Sequence, residues 1–172
     1  MDLSSKIRAI KDYPIDGIIF RDITTLLKDG EAFKEAINEM VKLCDEKVDL
    51  VVGVEARGFI VGSAVAYALG CGFVPVRKPG KLPSDKISET YDLEYGKDSI
   101  EMHSDAIKKG DKVLIVDDLL ATGGTSKATI KLIEKLGGEV VGLNFLIELI
   151  DLGGRDVLEG YKVNSILKFK EN

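Results

Sequence analysis

The sequence is poor in the residues that build staples and metal cages. It has two cysteines, Cys44 and Cys71, far apart in the chain, and one histidine, His103. That count excludes a disulfide scaffold, and a lone histidine with no cysteine at ligand spacing excludes a zinc centre. Both cysteines are read as buried free thiols, Cys44 on the apolar face of a helix and Cys71 beside glycines ahead of a strand. No apolar run is long enough to span a bilayer, and no apolar signal core follows the polar N-terminus. The expectation is a cytoplasmic protein without a membrane partner. Basic residues are also few: 24 Lys and Arg face 29 Asp and Glu, for a net charge of −5, with no basic stripe. That argues against nucleic acid as a partner, since phosphate backbones need clustered cations. Linkers, repeats and low-complexity tracts are missing too, so residues 1–172 are read as a single domain with one full core.

What is present is concentrated in Val113-Leu114-Ile115-Val116-Asp117-Asp118-Leu119-Leu120-Ala121-Thr122-Gly123-Gly124-Thr125. Four consecutive apolar residues read as a buried strand. Two carboxylates follow where it emerges, then a loop of hydroxyls and glycines, then a helix from Ser126 to Leu136. This order puts free amides and the Thr122 and Thr125 hydroxyls at a helix N-terminus, where a phosphate is stabilised. Gly123 and Gly124 permit close backbone approach and positive φ. Asp117 and Asp118 repel phosphate but accept hydrogen bonds from sugar hydroxyls. The segment has the shape of a ribose-5-phosphate cradle, although an Asp-Asp pair taken alone is more often structural.

Elsewhere the chain alternates. Leu3, Ile7 and Ile10 make one face of a short first helix. Tyr13-Pro14-Ile15-Asp16-Gly17 is a turn. Asp29 caps a helix from about Glu31 to Asp45, with Phe33, Ala36, Ile37, Met40, Val41 and Cys44 at the helical period. Leu50–Val54 is a strand, Phe59–Leu69 a helix stopped by Gly70, and Phe73–Val76 a strand. Lys78 to Ser88, with two prolines, a glycine and three lysines, reads as a mobile loop. Ser88 to His103 reads as a hairpin turning at Gly96-Lys97-Asp98. A strand from Val140 to Ile147 follows the Gly137-Gly138 stop. Alternating strands and helices predict an α/β fold: a parallel twisted sheet with helices on both faces, binding ligands beyond the strands' carboxyl ends.

Three further constellations stay double-edged. Glu55-Ala56-Arg57-Gly58 repeats the strand–turn–helix placement and is either a second anion site or a turn followed by a surface arginine. Arg77-Lys78-Pro79-Gly80-Lys81-Leu82-Pro83 is either a solvated basic loop or a lid for a polyanion. It is not a P-loop, because Leu82 stands where a Ser or Thr is required. Phe20-Arg21-Asp22 offers either a ring to stack on a base or a core Phe with an ion-paired Arg. His103 is read as a hairpin surface residue, with Glu101 and Asp105 as its partners.

The ordered set of these segments, from Asp12 to about Glu148, resembles the type I phosphoribosyltransferases, in the wording of their adenine-specific members. The resemblance implies that fold, with an N-terminal hood (1–28) and a lid loop and hairpin (78–103). It implies the reaction of adenine with phosphoribosyl pyrophosphate (PRPP) to give AMP and pyrophosphate, a purine-salvage step. Asp117 and Asp118 would hold the ribose hydroxyls, and Ala121, Thr122, Gly123, Gly124 and Thr125 the 5′-phosphate. Glu55, Ala56, Arg57, Arg77 and Lys81 would meet pyrophosphate, with a cis peptide at Glu55–Ala56. Phe20, Arg21 and Leu119 would meet adenine. Glu94, in Tyr91-Asp92-Leu93-Glu94-Tyr95-Gly96, would be the catalytic carboxylate. Mg²⁺ would be the cofactor, held by substrate and water rather than by protein ligands. The resemblance further implies a homodimer. Transferases for 6-oxopurines carry an aspartate where Ala121 stands, which favours adenine. A related transferase for xanthine or orotate and a non-catalytic PRPP-sensing regulator remain the alternatives.

Overall fold

Residues 1–93 and 95–170 are described by a computed structural model. Five strands form a parallel sheet in the order β4-β3-β7-β8-β9, from β3 (Leu50–Val54), β4 (Gly72–Val76), β7 (Lys112–Leu120), β8 (Glu139–Leu149) and β9 (Val163–Phe169). Helices α2 (Gly30–Lys42) and α3 (Arg57–Leu69) cover one face, and α4 (Gly124–Lys135) covers the other. Strand alternation assigns the faces. Val51, Leu114 and Val116 pack with Ala36, Met40, Val61 and Val65. Val52, Ile115 and Phe145 pack with Ile130 and Ile133 on the other side.

Several elements fall where the residue pattern puts them. Asp29 caps α2 by accepting from the Ala32 amide at 3.2 Å. Strand β3 runs over the predicted residues, and α3 stops at Gly70. Other expectations need correction. Leu3, Ile7 and Ile10 do not share a helix: Leu3–Lys6 is a single 3₁₀ turn and Arg8–Lys11 is strand β1. It pairs antiparallel with β2 (Ile19–Asp22), and Arg8 donates to Asp22 Oδ2 at 2.9 and 2.6 Å. The ladder and this ion pair outweigh a weak local helical period. The short helix α1 (Thr24–Leu27) follows.

The hairpin of β5 (Lys86–Asp92) and β6 (Lys97–His103) closes earlier than the pattern suggests. Asp92 pairs with Lys97, so Lys97 and Asp98 belong to the returning strand. Strand β7 does not end at its carboxylates but continues to Leu120, because β8 keeps pairing with it through Leu120↔Glu148. The edge strand β9 and the short helix α5 (Gly154–Val157) lie in the C-terminal part that the sequence left unassigned. Cys44 lies past the end of α2, and both cysteines are half-buried free thiols rather than buried ones.

This topology places the site. Chain order reverses between β3 and β7, the switch point where open α/β sheets leave a crevice. Parallel pairing of these strands is registered from Leu50↔Val113 to Val52↔Ile115. Helix α3 starts after β3 and α4 after β7, so both N-termini open on the same crevice.

Candidate active site

A cleft of about 240 Å³ lies at this switch point, lined by Val54 to Arg57, Lys78 and the run from Asp117 to Ser126. Its one wall is the start of α4. Gly123, at φ 89°, occupies the cap position in the left-handed region and brings no side chain to the helix end. Among the described residues the first-turn amides therefore have neither intrahelical nor side-chain acceptors, and with the dipole they favour an anion. Thr122 is exposed at the rim. Thr125 Oγ1 donates to the Tyr91 hydroxyl at 3.1 Å, and that hydroxyl donates to Asp98 Oδ2 at 3.3 Å. Lys78 Nζ pairs with the same Asp98 oxygen.

The floor carries the two aspartates. Asp118 Oδ2 accepts from Arg57 Nε at 2.6 Å across 61 positions of sequence. Asp117 Oδ1 accepts from the Asp118 amide at 2.9 Å. Desolvation raises the Asp117 carboxyl well above the usual carboxylate range, and the adjacent Asp118 charge adds to the rise. Gly58 makes this enclosure possible: a Cβ there would stand 2.6 Å from Asp117 Oδ1.

The opposite wall is the Glu55–Ala56 turn, whose peptide is cis. The Glu55 carboxylate faces the start of the loop after β4, accepting from the Lys78 amide at 2.7 Å and from Arg77 Nε at 3.3 Å. Arg57 extends over the cleft, its guanidinium carbon 5.4 Å from the Phe20 ring centre. Phe20 in turn meets Tyr13 edge-on at 5.3 Å. The N-terminal segment thus reaches the cleft's Arg57 through Phe20. The Arg21 side chain turns away: its Nη2 donates to the Lys170 carbonyl at 3.1 Å and its guanidinium stacks 4.4 Å from the Phe169 ring. Among the described residues it makes no ion pair, unlike that alternative from the sequence. Leu119 and Ala121 line the cleft, both half-buried.

The loop after Arg77 is less bare than its composition suggests. Leu82 is buried, the Gly80 amide donates to Glu101 Oε1 at 3.0 Å, and the Ser84 amide donates to His103 Nε2 at 3.4 Å. His103 therefore receives this loop rather than Glu101 or Asp105. Lys81 is exposed. Glu94, the proposed catalytic carboxylate, lies outside the described residues. Among the described residues, no group of three or more His, Cys, Asp or Glu is placed to hold a metal ion.

The sequence reading did not single out Tyr91, Asp98 or the contact of Gly58 with Asp117. Tyr91 had one available signal, its place in the hairpin's apolar alternation. The other two depend on pairings that local pattern does not encode.

Residues 24–167 match the model of the phosphoribosyl transferase domain. An adenine phosphoribosyltransferase from Alkaliphilus metalliredigens is 62% identical over 170 residues, covering 98% of this chain and 100% of that protein. Another, from Clostridium beijerinckii, is 61% identical over 98% of this chain and 99% of its own length. Among solved structures, the adenine phosphoribosyltransferase of Thermoanaerobacter pseudethanolicus superposes with a TM-score of 0.95 at 53% identity, covering 98% of each chain. The Saccharomyces cerevisiae enzyme, solved with adenine and an imino-altritol bisphosphate, gives 0.89 at 38% identity over 99% of this chain and 97% of its own.

Proposed function

This chain belongs to the phosphoribosyltransferase family, and from that membership we infer that it transfers the 5-phosphoribosyl group of PRPP to adenine, giving AMP and pyrophosphate in purine salvage. The observation that carries the reading is the convergence of two helix N-termini on the Asp117–Asp118 pair in one cleft. One N-terminus suits a 5′-phosphate and the other a pyrophosphate, while the carboxylates suit the ribose hydroxyls between them.

In this reading the Ala121–Thr125 loop binds the 5′-phosphate through its amides and the Thr122 and Thr125 hydroxyls. Asp118 exchanges its bond to Arg57 for a ribose hydroxyl, which frees Arg57 for pyrophosphate. Arg77 and Lys81 add positive charge from the lid, and Glu55 and Ala56 form the turn that receives it. The C1–oxygen bond to pyrophosphate breaks as positive charge grows on the ribose ring. Adenine N9 attacks from the opposite face, with Phe20, the Arg21 backbone and Leu119 around the base. Catalysis comes from positioning and from stabilising the leaving group. Glu94 accepts the proton that the base must lose.

Mg²⁺ fits this donor set. The cleft offers oxygen donors, carboxylates and hydroxyls, which hard cations prefer. Bound with PRPP, the ion would neutralise charge on the departing pyrophosphate.

The whole chain acts as one unit, residues 1–28 as hood and 78–103 as lid and hairpin. No helix of the described residues is long and apolar enough to cross a membrane. Cytoplasmic residence is consistent with two free thiols, the state that a reducing compartment maintains. The working form is a homodimer. A groove between α2 and α3 supports this, with Phe33 and Ile37 in its walls and Ile60 and Tyr67 exposed at 43% and 90%. Sedimentation equilibrium should return twice the 18.7 kDa chain mass; a monomer at assay concentrations would refute it.

A base screen tests the function. Adenine should exceed hypoxanthine, guanine, xanthine and orotate in kcat/KM by about 100-fold or more, with pyrophosphate release as the readout. Comparable turnover of any 6-oxopurine would overturn the assignment of adenine.

A further inference from the structure

The phosphate loop is backed by a segment from the C-terminal part of the chain. Helix α5 lies directly behind Ala121–Gly123, through Gly154 and Val157. A Cβ at Gly154 would stand 2.4 Å from the Ala121 carbonyl oxygen and 2.8 Å from Leu120 Cδ1. A Cβ at Gly123 would stand 3.0 Å from the Gly154 carbonyl oxygen and 3.2 Å from Val157 Cβ. Two backbones therefore approach through two glycines, with the Leu120 and Val157 side chains packed tightly beside the contact. A displacement of one is passed to the other, because packed atoms at contact distance have nowhere else to go.

Four helical residues cannot hold such a position by themselves. Arg155 holds it from outside. Its Nε and Nη2 donate to the two Glu148 carboxylate oxygens at 3.2 and 2.6 Å, and its Nη1 donates to the Val163 carbonyl at 2.7 Å. Glu148 is only 4% exposed and accepts a further bond from Ser165 Oγ at 2.7 Å. Glu148 is also the β8 residue paired with Leu120, the last residue of β7 before the loop. One guanidinium fork thus fixes α5 to β8 and β9 at the level where the phosphate loop begins. A planar, two-point pair resists rotation as well as translation, as a single-point contact does not.

We propose that Arg155 and Glu148 are positioning residues for the 5′-phosphate, holding the Ala121–Gly124 backbone through Gly154 so that its amides converge on one point. The inference rests on the reading of that loop as the phosphate cradle. Neither side chain lines the cleft, so neither touches the substrate.

The test compares Arg155→Met and Gly154→Ala with wild type. Ribose 5-phosphate binding is measured by calorimetry, KM for each substrate and kcat by steady-state assay, and folding by near-UV circular dichroism. Both variants should weaken ribose 5-phosphate and raise KM for PRPP by about 10- to 100-fold, leaving KM for adenine within about threefold. Arg155→Lys, which keeps the charge but loses the fork, should recover only part of the loss. Folded variants that bind ribose 5-phosphate as wild type does would overturn the proposal. So would equal losses for both substrates, or failure of both variants to fold, since each marks a general stability element. Thr122→Val with Thr125→Val serves as the control for the cradle. If that pair leaves ribose 5-phosphate binding intact, the cradle reading itself has failed. If only the control loses affinity, positioning by Arg155 has failed alone.

Discussion

Glu94→Gln should lower kcat by about 10²–10⁴-fold at saturating adenine and PRPP, with PRPP affinity little changed. As N9 attacks, positive charge accumulates on the purine and a proton has to leave it. A carboxylate facing the base accepts that proton or balances the charge, and glutamine keeps the shape while removing the basicity. The family resemblance points to Glu94, and Ala121 removes the alternative, since no carboxylate stands at that position of the cleft wall. Strand β5, which ends two residues earlier, is tied to the start of α4 through Tyr91 and Thr125. The measurement is kcat with the chemical step shown to be rate-limiting by single-turnover kinetics. A Gln variant within a few-fold of wild type would leave catalysis to pyrophosphate stabilisation and positioning.

Replacing both Thr122 and Thr125 by Val should weaken PRPP binding by about 10²–10⁴-fold, because each hydrogen bond to a charged group contributes about 1.5–3 kcal/mol. Adenine binding should change far less. The two hydroxyls should not contribute equally. Thr122 is exposed at the rim and gives up water when phosphate arrives. Thr125 already donates its only hydroxyl proton to Tyr91 and must surrender that bond first. The single Thr122→Val variant should therefore lose more affinity than Thr125→Val. Titration calorimetry with PRPP and Mg²⁺ measures both. Unchanged affinity in a folded double variant would refute the cradle.

What the residues alone determined is whatever depends on near neighbours. The Val113–Val116 run, the glycine pair and the following helical period define a strand, a loop and a helix N-terminus, and the structure has all three. The Asp29 cap and the alternation of strands and helices were legible for the same reason: capping and burial periodicity act over a few residues.

The tertiary structure decided what depends on distant partners. Arg8–Lys11 is a strand because β2 lies beside it, not because of its own propensity. Strand β7 runs past its carboxylates because β8 continues to pair with it. Leu82 is buried although its neighbours are prolines, glycine and lysine, since the loop lies against β6. The Glu55 carboxylate meets residues 22 and 23 positions away, and Arg57 meets Asp118 across 61. Arg155 and Glu148 look like ordinary surface charges in the sequence, and only the approach of Gly154 to Ala121 gives them a relation to the site. Local pattern records which face of an element is apolar. It does not record which other element arrives there, because that follows from the order in which the strands assemble into the sheet.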